Sequence, residues 1–158
     1  MKNSTLITPF FMLSEKDLTE TQTALIDKAK AISETAYAPY SQFQVGAAVL
    51  LENGEIITGN NQENVAFPSG LCAERTAMFY ANAQYPDVAV CAVAIAAQTG
   101  GQWLEKPISP CGACRQSLLE SETRFGRDIQ VLLYGSKQII RIDSIKSLLP
   151  FAFSSLEE

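Results

Sequence analysis

The run VAVCAVAIAA, residues 88–97, limits the fold more than any other stretch of the chain. A strand with one wet face alternates apolar and polar side chains, and this one does not. A continuous apolar run of strand length belongs inside a sheet that is buried on both faces. The chain must therefore supply helices to cover such a sheet.

The flanking sequence contains them. Ser14 with Asp17 can cap a helix whose apolar positions Leu18, Leu25, Ile26, Ala29 and Ile32 recur at helical spacing. It should end near AYAPYS, where Pro39 biases the chain away from helix. FQVGAAVLLENGEIITGNN reads as a hairpin, two strand-like runs around Asn53-Gly54, a dipeptide suited to a tight primed turn. SGLCAERTAMFYANA, residues 69–83, forms a second helix that buries Ala73, Ala77, Met78 and Ala81. CGACRQSLLESE reads as a third, with Leu118 and Leu119 inward. DIQVLLYG and KQIIRID look like further strands, and SIKSLLPFAF starts as a last short helix that Pro150 ends. The expected fold is α/β, a five-stranded mixed sheet covered by helices. Residues 1–13 form a loosely held lead-in and 14–158 a single domain.

Composition excludes several partners. The formal net charge is −5 and no run of Lys or Arg occurs, so a polyanion has no electrostatic footprint and nucleic acid is not expected as a ligand. No apolar run approaches the roughly 20 residues of a spanning helix, so no membrane partner is expected. The N-terminus lacks a signal-peptide core followed by a small-residue cleavage site. A cytoplasmic location follows.

The 158 residues include no histidine. That removes Ser-His-Asp and Cys-His nucleophilic machinery and every metal site that needs imidazole. Any metal must be held by Cys, Asp or Glu. In a reducing compartment, clustered cysteines are more often metal ligands or redox groups than structural disulfides.

Cys111 and Cys114 sit in PCGAC, where Pro110 precedes a helix start and both thiols can face one side of the first turn. The positive end of a helix favours the thiolate that a metal requires. Cys72 occupies the same kind of position on another helix. Three thiolates from two helix starts can fill three corners of a tetrahedron about zinc and leave the fourth to water, the arrangement of a catalytic site. Glu74, one turn along, could move a proton beside the metal. Three thiolates on a dication leave a net negative charge, which Arg75 or Arg115 could offset by donating to sulfur. The alternative for PCGAC is a thiol-redox pair at a strand-to-helix junction, which leaves Cys72 without a role. Glu74 could equally be an ordinary first-turn carboxylate, and Asn61 and Glu63 a polar strand-end loop. Cys91, inside the apolar run, reads as core filler.

Together, YAPYSQFQVGAAV, NQEN, CAERTA and SPCGACRQ closely resemble the small zinc-dependent cytidine deaminases of free nucleosides. Zinc deaminases as a class use a three-cysteine or mixed His/Cys site, a Glu that is not a ligand, and a PCxxC signature. The resemblance spans about residues 20–153. It implies a three-layer α/β fold, one Zn²⁺ per subunit, and a homotetramer with shared active sites. It implies that Cys72, Cys111 and Cys114 hold the zinc and that Glu74 shuttles protons, from water to N3 of cytosine and then to departing ammonia. It further implies that the Ala73 N–H and the Ser109 carbonyl bind the base, with Phe43 against the ring. Asn61 and Glu63 would bind ribose, and Phe153 would reach a neighbouring subunit's site. Arg75 matches the arginine that moderates thiolate charge. Phe67 stands where the family usually has tyrosine, Asn60 where cysteine is common, and the loop around Trp103 is longer.

The implied reaction is hydrolysis of cytidine and 2′-deoxycytidine to uridine and 2′-deoxyuridine in pyrimidine salvage. A modified nucleoside such as blasticidin S is the competing substrate; the Asn61 and Glu63 pair favours ordinary ribose. A non-enzymatic zinc or thiol-redox module is the competing class. It predicts a closed metal site or a Cys111–Cys114 disulfide.

Overall fold

The apolar run becomes β4 (Val90–Thr99), the inner strand on which the rest of the sheet is built. The computed structural model describes residues 2–155; Met1 and 156–158, at the outer ends of the two expected segments, lie outside the described residues. On one side β4 pairs antiparallel with β2 (Phe43–Leu51), which pairs antiparallel with β3 (Ile56–Asn60). On the other it pairs in parallel with β6 (Gln130–Tyr134), which pairs antiparallel with β7 (Ile139–Ile142). The parallel pair needs a crossover, and α3 (Gly112–Phe125) provides it.

Alternation along β4 divides the core into two layers. Ala92, Ala94 and Ala96 face α1 (Glu20–Ser33), which contributes Leu25, Ile26 and Ala29. Val93, Ile95 and Ala97 face the opposite way, toward α2 (Ala73–Gln84) and α3, whose Ala77, Met78, Leu118 and Leu119 fill that side. Both faces are covered because successive side chains of one strand point in opposite directions. The three-layer α/β class is as expected.

Glycine sets how closely the layers approach. A Cβ on Gly46 of β2 would stand 1.9 Å from the Ala29 carbonyl oxygen of α1. A Cβ on Gly59 of β3 would stand 2.4 Å from the Ala77 nitrogen of α2. Helix backbone therefore lies directly on strand backbone at both points, and at the second this fixes the seat of α2.

Among the described residues the sheet has seven strands rather than five. The additions are β1 (Phe11–Leu13), on β7, and β5 (Gln102–Trp103), on the end of β4. Both are too short to carry a periodic signal. β1 also ties the end of the expected lead-in to the sheet. Two further boundaries differ. Ser14 and Asp17 do form a capping box, but it opens a 3-10 turn, Glu15–Asp17. The long helix starts later at its own box, in which Thr19 Oγ1 accepts from the Gln22 N–H and Gln22 Oε1 from the Thr19 N–H. The hairpin turn is not primed: of Asn53 and Gly54, only Gly54 has positive φ, at 88°. The Gly54 N–H donates to the Leu51 carbonyl and the Leu51 N–H to the Glu55 carbonyl, so the loop is one residue longer than a two-residue turn. The final helix is a single 3-10 stretch, Ile145–Leu148.

Candidate metal centre and active-site cleft

Both cysteine segments reach the same point because α2 and α3 start at the same end of the sheet. Cys72 is the N-cap of α2 and Cys111 the N-cap of α3, with extended backbone at each. Neither side chain caps a backbone N–H of its own helix, so both sulfurs are free to turn outward from the caps. Cys114, in the first turn of α3, is fully buried. The sulfur of Cys111 lies 3.8 Å from that of Cys72 and 3.5 Å from that of Cys114. All three sulfurs lie within 4.8 Å of one another.

That spacing is what zinc needs. Sulfurs bound tetrahedrally at about 2.3 Å stand about 3.8 Å apart. The donors are soft sulfurs at two positive helix ends, and all three cysteines are free of disulfides. The residues present fit one zinc ion.

Charge in the cluster is uneven. Cys72 ionises readily: the Cys114 thiol and then the Arg75 guanidinium donate toward it, and against burial its pKa falls to about 5. Arg75 Nη2 lies 3.7 Å from that sulfur. Cys114, beside this thiolate and out of water, is pushed upward. Of the two arginines that could offset the charge, the structure brings Arg75 to sulfur. Arg115 instead turns away and donates to the Pro110 and Leu148 carbonyls.

Glu74 follows Cys72 by two residues and is only 5% exposed. Burial raises its pKa, and the neighbouring Cys72 thiolate adds to the rise. A carboxyl that holds its proton more firmly than usual, next to a cluster of sulfurs, is suited to taking up and returning protons.

A cleft of about 560 Å³ opens beside Cys72. Its wall includes Tyr40, Asn61, Glu63, Phe67, Cys72 and Arg75. The segment 61–63 is a junction that holds this wall together. The backbone of Gln62 exchanges two hydrogen bonds with Leu71, next to Cys72, and the Glu63 N–H donates to the Tyr37 carbonyl. The Glu63 carboxylate accepts from the Tyr40 and Ser41 N–H groups and from the Ser41 hydroxyl. The hydroxyl contributes most to holding this carboxyl below its usual range.

Asn61 makes further bonds from the cleft wall, and other expected residues stand elsewhere. Asn61 bonds along the edge of β2, accepting from Val45 N–H at 2.8 Å and donating to the Phe43 carbonyl at 2.9 Å. Phe43 is half-buried, packed against the α2–α3 core layer. Ala73 is fully buried; Ser109 is exposed. Phe153 is 67% exposed, and neither it, Phe43 nor Ser109 lines the cleft. Trp103 does not cover the cleft; it packs edge-on against Tyr134 in the α1 layer, on the other side of the sheet. Phe67 meets Tyr40 edge to face, with ring centroids 6.3 Å apart. Asn60 donates to the Ile32 carbonyl and to Thr35, tying β3 to the end of α1. Cys91 is half-buried in β4, and burial raises its pKa.

Comparison with known proteins agrees with this geometry. The cytidine and deoxycytidylate deaminase zinc-binding region matches residues 19–125. The chain belongs to the cytidine deaminase family. A cytidine deaminase of Halalkalibacterium halodurans is 40% identical over 131 residues, covering 83% of this chain and 92% of that protein. One from Sporosarcina psychrophila is 43% identical over 130 residues, covering 82% and 89%. The crystal structure of cytidine deaminase from Burkholderia pseudomallei superposes with a TM-score of 0.71 at 40% identity, covering 86% of this chain and 100% of that one. The cytidine deaminase family thus accounts for the sulfur cluster as a zinc site, and the matched region contains all three cysteines.

One buried carboxylate was not expected from the sequence. Glu122 on α3 is fully buried and accepts from the Ile129 and Ile145 N–H groups, each at 2.8 Å, and from the Ser144 hydroxyl. In LLESE it looks like one of two solvent-facing carboxylates. Only its position on the same helical face as Leu118 and Leu119, at i+4 and i+3, hints otherwise.

Proposed function

We propose that this chain hydrolyses cytidine and 2′-deoxycytidine to uridine and 2′-deoxyuridine, releasing ammonia. The observation that carries the reading is the buried Glu74 carboxyl beside three sulfurs spaced for one zinc ion, at the edge of a nucleoside-sized cleft. Zinc bound there supplies Lewis acidity, which makes water a nucleophile near neutral pH.

The chain's own groups do the rest. Glu74 takes a proton from water and gives it to N3 of the cytosine ring; it then takes the second proton from the hydroxyl added at C4 and passes it to the departing amine. Its raised pKa suits both the taking and the giving. The Ala73 N–H is in the first turn of α2, where no intrahelical acceptor exists, and is available to the base. Ser109, directly before Pro110, offers its carbonyl to the amino group. Glu63 and Asn61 bind the ribose: Glu63 is ionised in the cleft wall, and Asn61 keeps one N–H and one lone pair beyond its bonds to β2. An ionised carboxylate there repels a phosphate, which favours nucleosides over nucleotides or nucleic acid. Phe43 packs against the pyrimidine.

A homotetramer completes the sites. Phe67, Tyr80, Phe151 and Phe153 are all more than half exposed, an apolar surface better covered than wet. Phe153 enters a neighbouring subunit's site in this arrangement. Among the described residues no helix is long and apolar enough to cross a membrane. The net charge of −5 disfavours nucleic acid, and the free thiols suit the cytoplasm.

The test is direct. Zinc-loaded protein incubated with cytidine should yield uridine and ammonia in equal amounts. Cytidine left untouched by protein carrying one zinc per chain overturns the reading.

A further inference from the structure

The C-terminal segment retraces α3, the helix whose start carries Cys111 and Cys114, and α3 side chains hold it at three heights. In the last turns of the helix, the Glu122 carboxylate accepts from the Ile145 N–H at 2.8 Å and from the Ser144 hydroxyl at 3.0 Å. Near the first turn, Arg115 Nη1 donates to the Leu148 carbonyl at 2.8 Å. Gln116 Nε2 donates to the Phe153 carbonyl, also at 2.8 Å. The segment therefore returns from the far end of α3 to the end that bears the sulfurs.

Arg115 makes a second bond in the other direction. Its Nε donates at 2.8 Å to the Pro110 carbonyl, directly before Cys111. One guanidinium thus holds both the turn that aims two sulfurs and the segment that ends at Phe153. The group is planar and its donors are fixed relative to one another, so displacing one carbonyl turns the donor that faces the other.

We propose that Arg115 is a positioning residue that couples the metal-binding turn to the C-terminal segment, so that zinc on the three sulfurs also orders residues 148–153. The inference rests on the zinc-site reading above. Ordering of the turn fixes Pro110, Pro110 fixes the guanidinium, and the guanidinium fixes Leu148. The coupling is reciprocal: whatever holds the segment in place also tightens metal binding. The presentation of Phe151 and Phe153, both strongly exposed, then depends on metal occupancy.

Hydrogen exchange on the full-length protein tests this, with zinc-loaded and chelator-treated samples compared at residues 148–153. In the wild-type chain, chelation should speed exchange there by about tenfold or more, as expected for loss of a charge-assisted hydrogen bond. Arg115→Ala should exchange rapidly even when zinc-loaded and show no further response to chelation. Gln116→Ala removes only the outer tie. It should keep the zinc response at Leu148 and Leu149 and lose protection beyond Pro150, and it serves alone if Arg115→Ala does not fold. Equal exchange in zinc-loaded and chelated wild-type protein overturns the coupling while leaving the metal site intact. A wild-type chain that binds no zinc overturns the metal site, and the coupling with it.

Discussion

Arg75 sets its guanidinium 3.7 Å from the sulfur of Cys72, one turn back on the same helix. The contact joins a permanent cation to a thiol whose pKa is lowered to about 5. An all-sulfur site puts more negative charge on a metal than an imidazole site does, and this chain has no imidazole to use instead. A cation hydrogen-bonded to sulfur withdraws part of that charge.

Replacing Arg75 with Gln should therefore reduce deamination more than it reduces metal content. A loss of about 10–100-fold in kcat/KM is expected from removing a group that tunes a metal ligand. Kinetics on cytidine alongside zinc analysis of the same preparation would show it. Unchanged kcat/KM would mean that Arg75 serves packing alone.

Glu74→Gln preserves shape and removes the exchangeable carboxyl. Zinc should remain at one per chain while kcat falls about 10²–10⁴-fold, the usual contribution of a positioned general acid–base. A variant that still turns over cytidine at the parental rate removes Glu74 from the proton path.

The ties of Glu63 predict an acid limit for nucleoside binding. Its carboxyl is held below the reference value of 4.5 chiefly by the Ser41 hydroxyl. Because the folded value is depressed, the bonds to Tyr40 and Ser41 contribute fully above about pH 4.5 and are lost as pH falls through the depressed value. KM for cytidine should thus show no Glu63 transition between about pH 8 and 5. A titration of the Glu63 carboxyl by NMR that centres above 4.5 would contradict this.

Gly59→Ala tests how α2 is seated. The added methyl would meet the Ala77 nitrogen at 2.4 Å and the Ala73 carbonyl oxygen at 2.9 Å, both backbone atoms that cannot rotate away. Overpacking of this kind costs about 1–3 kcal/mol. Urea unfolding should show that loss, and metal affinity should fall as well, since Cys72 is the N-cap of α2. Stability within a few tenths of the parent's would place the α2–β3 contact elsewhere.

How much of this was legible in the sequence depended on the range of the signal. The gathering of Cys72, Cys111 and Cys114 was legible because each sits at or near a helix start, and helix starts show in a few neighbouring residues. The division of β4 into two faces followed from the lack of polar alternation. The start of α1 was set too early because two capping boxes stand in tandem, and only tertiary packing chooses the second. β1 and β5 were invisible, since two or three residues pair only where an existing strand edge receives them. Trp103 could not be placed, because a loop residue is assigned to one side of a sheet by the turn that precedes it. Glu122 was hidden for a related reason: its partners at 129, 144 and 145 come from elements that meet α3 only in the folded chain.

Three sulfurs and no nitrogen ligand also decide which ions compete for this site. Magnesium and manganese prefer oxygen and gain little from thiolates, so their abundance in a cell is no obstacle. Cuprous copper binds the same atoms well, and as a redox-active monovalent ion it does not replace zinc as a Lewis acid of fixed valence. The competitors that this donor set leaves are therefore soft metals, not the abundant hard ones.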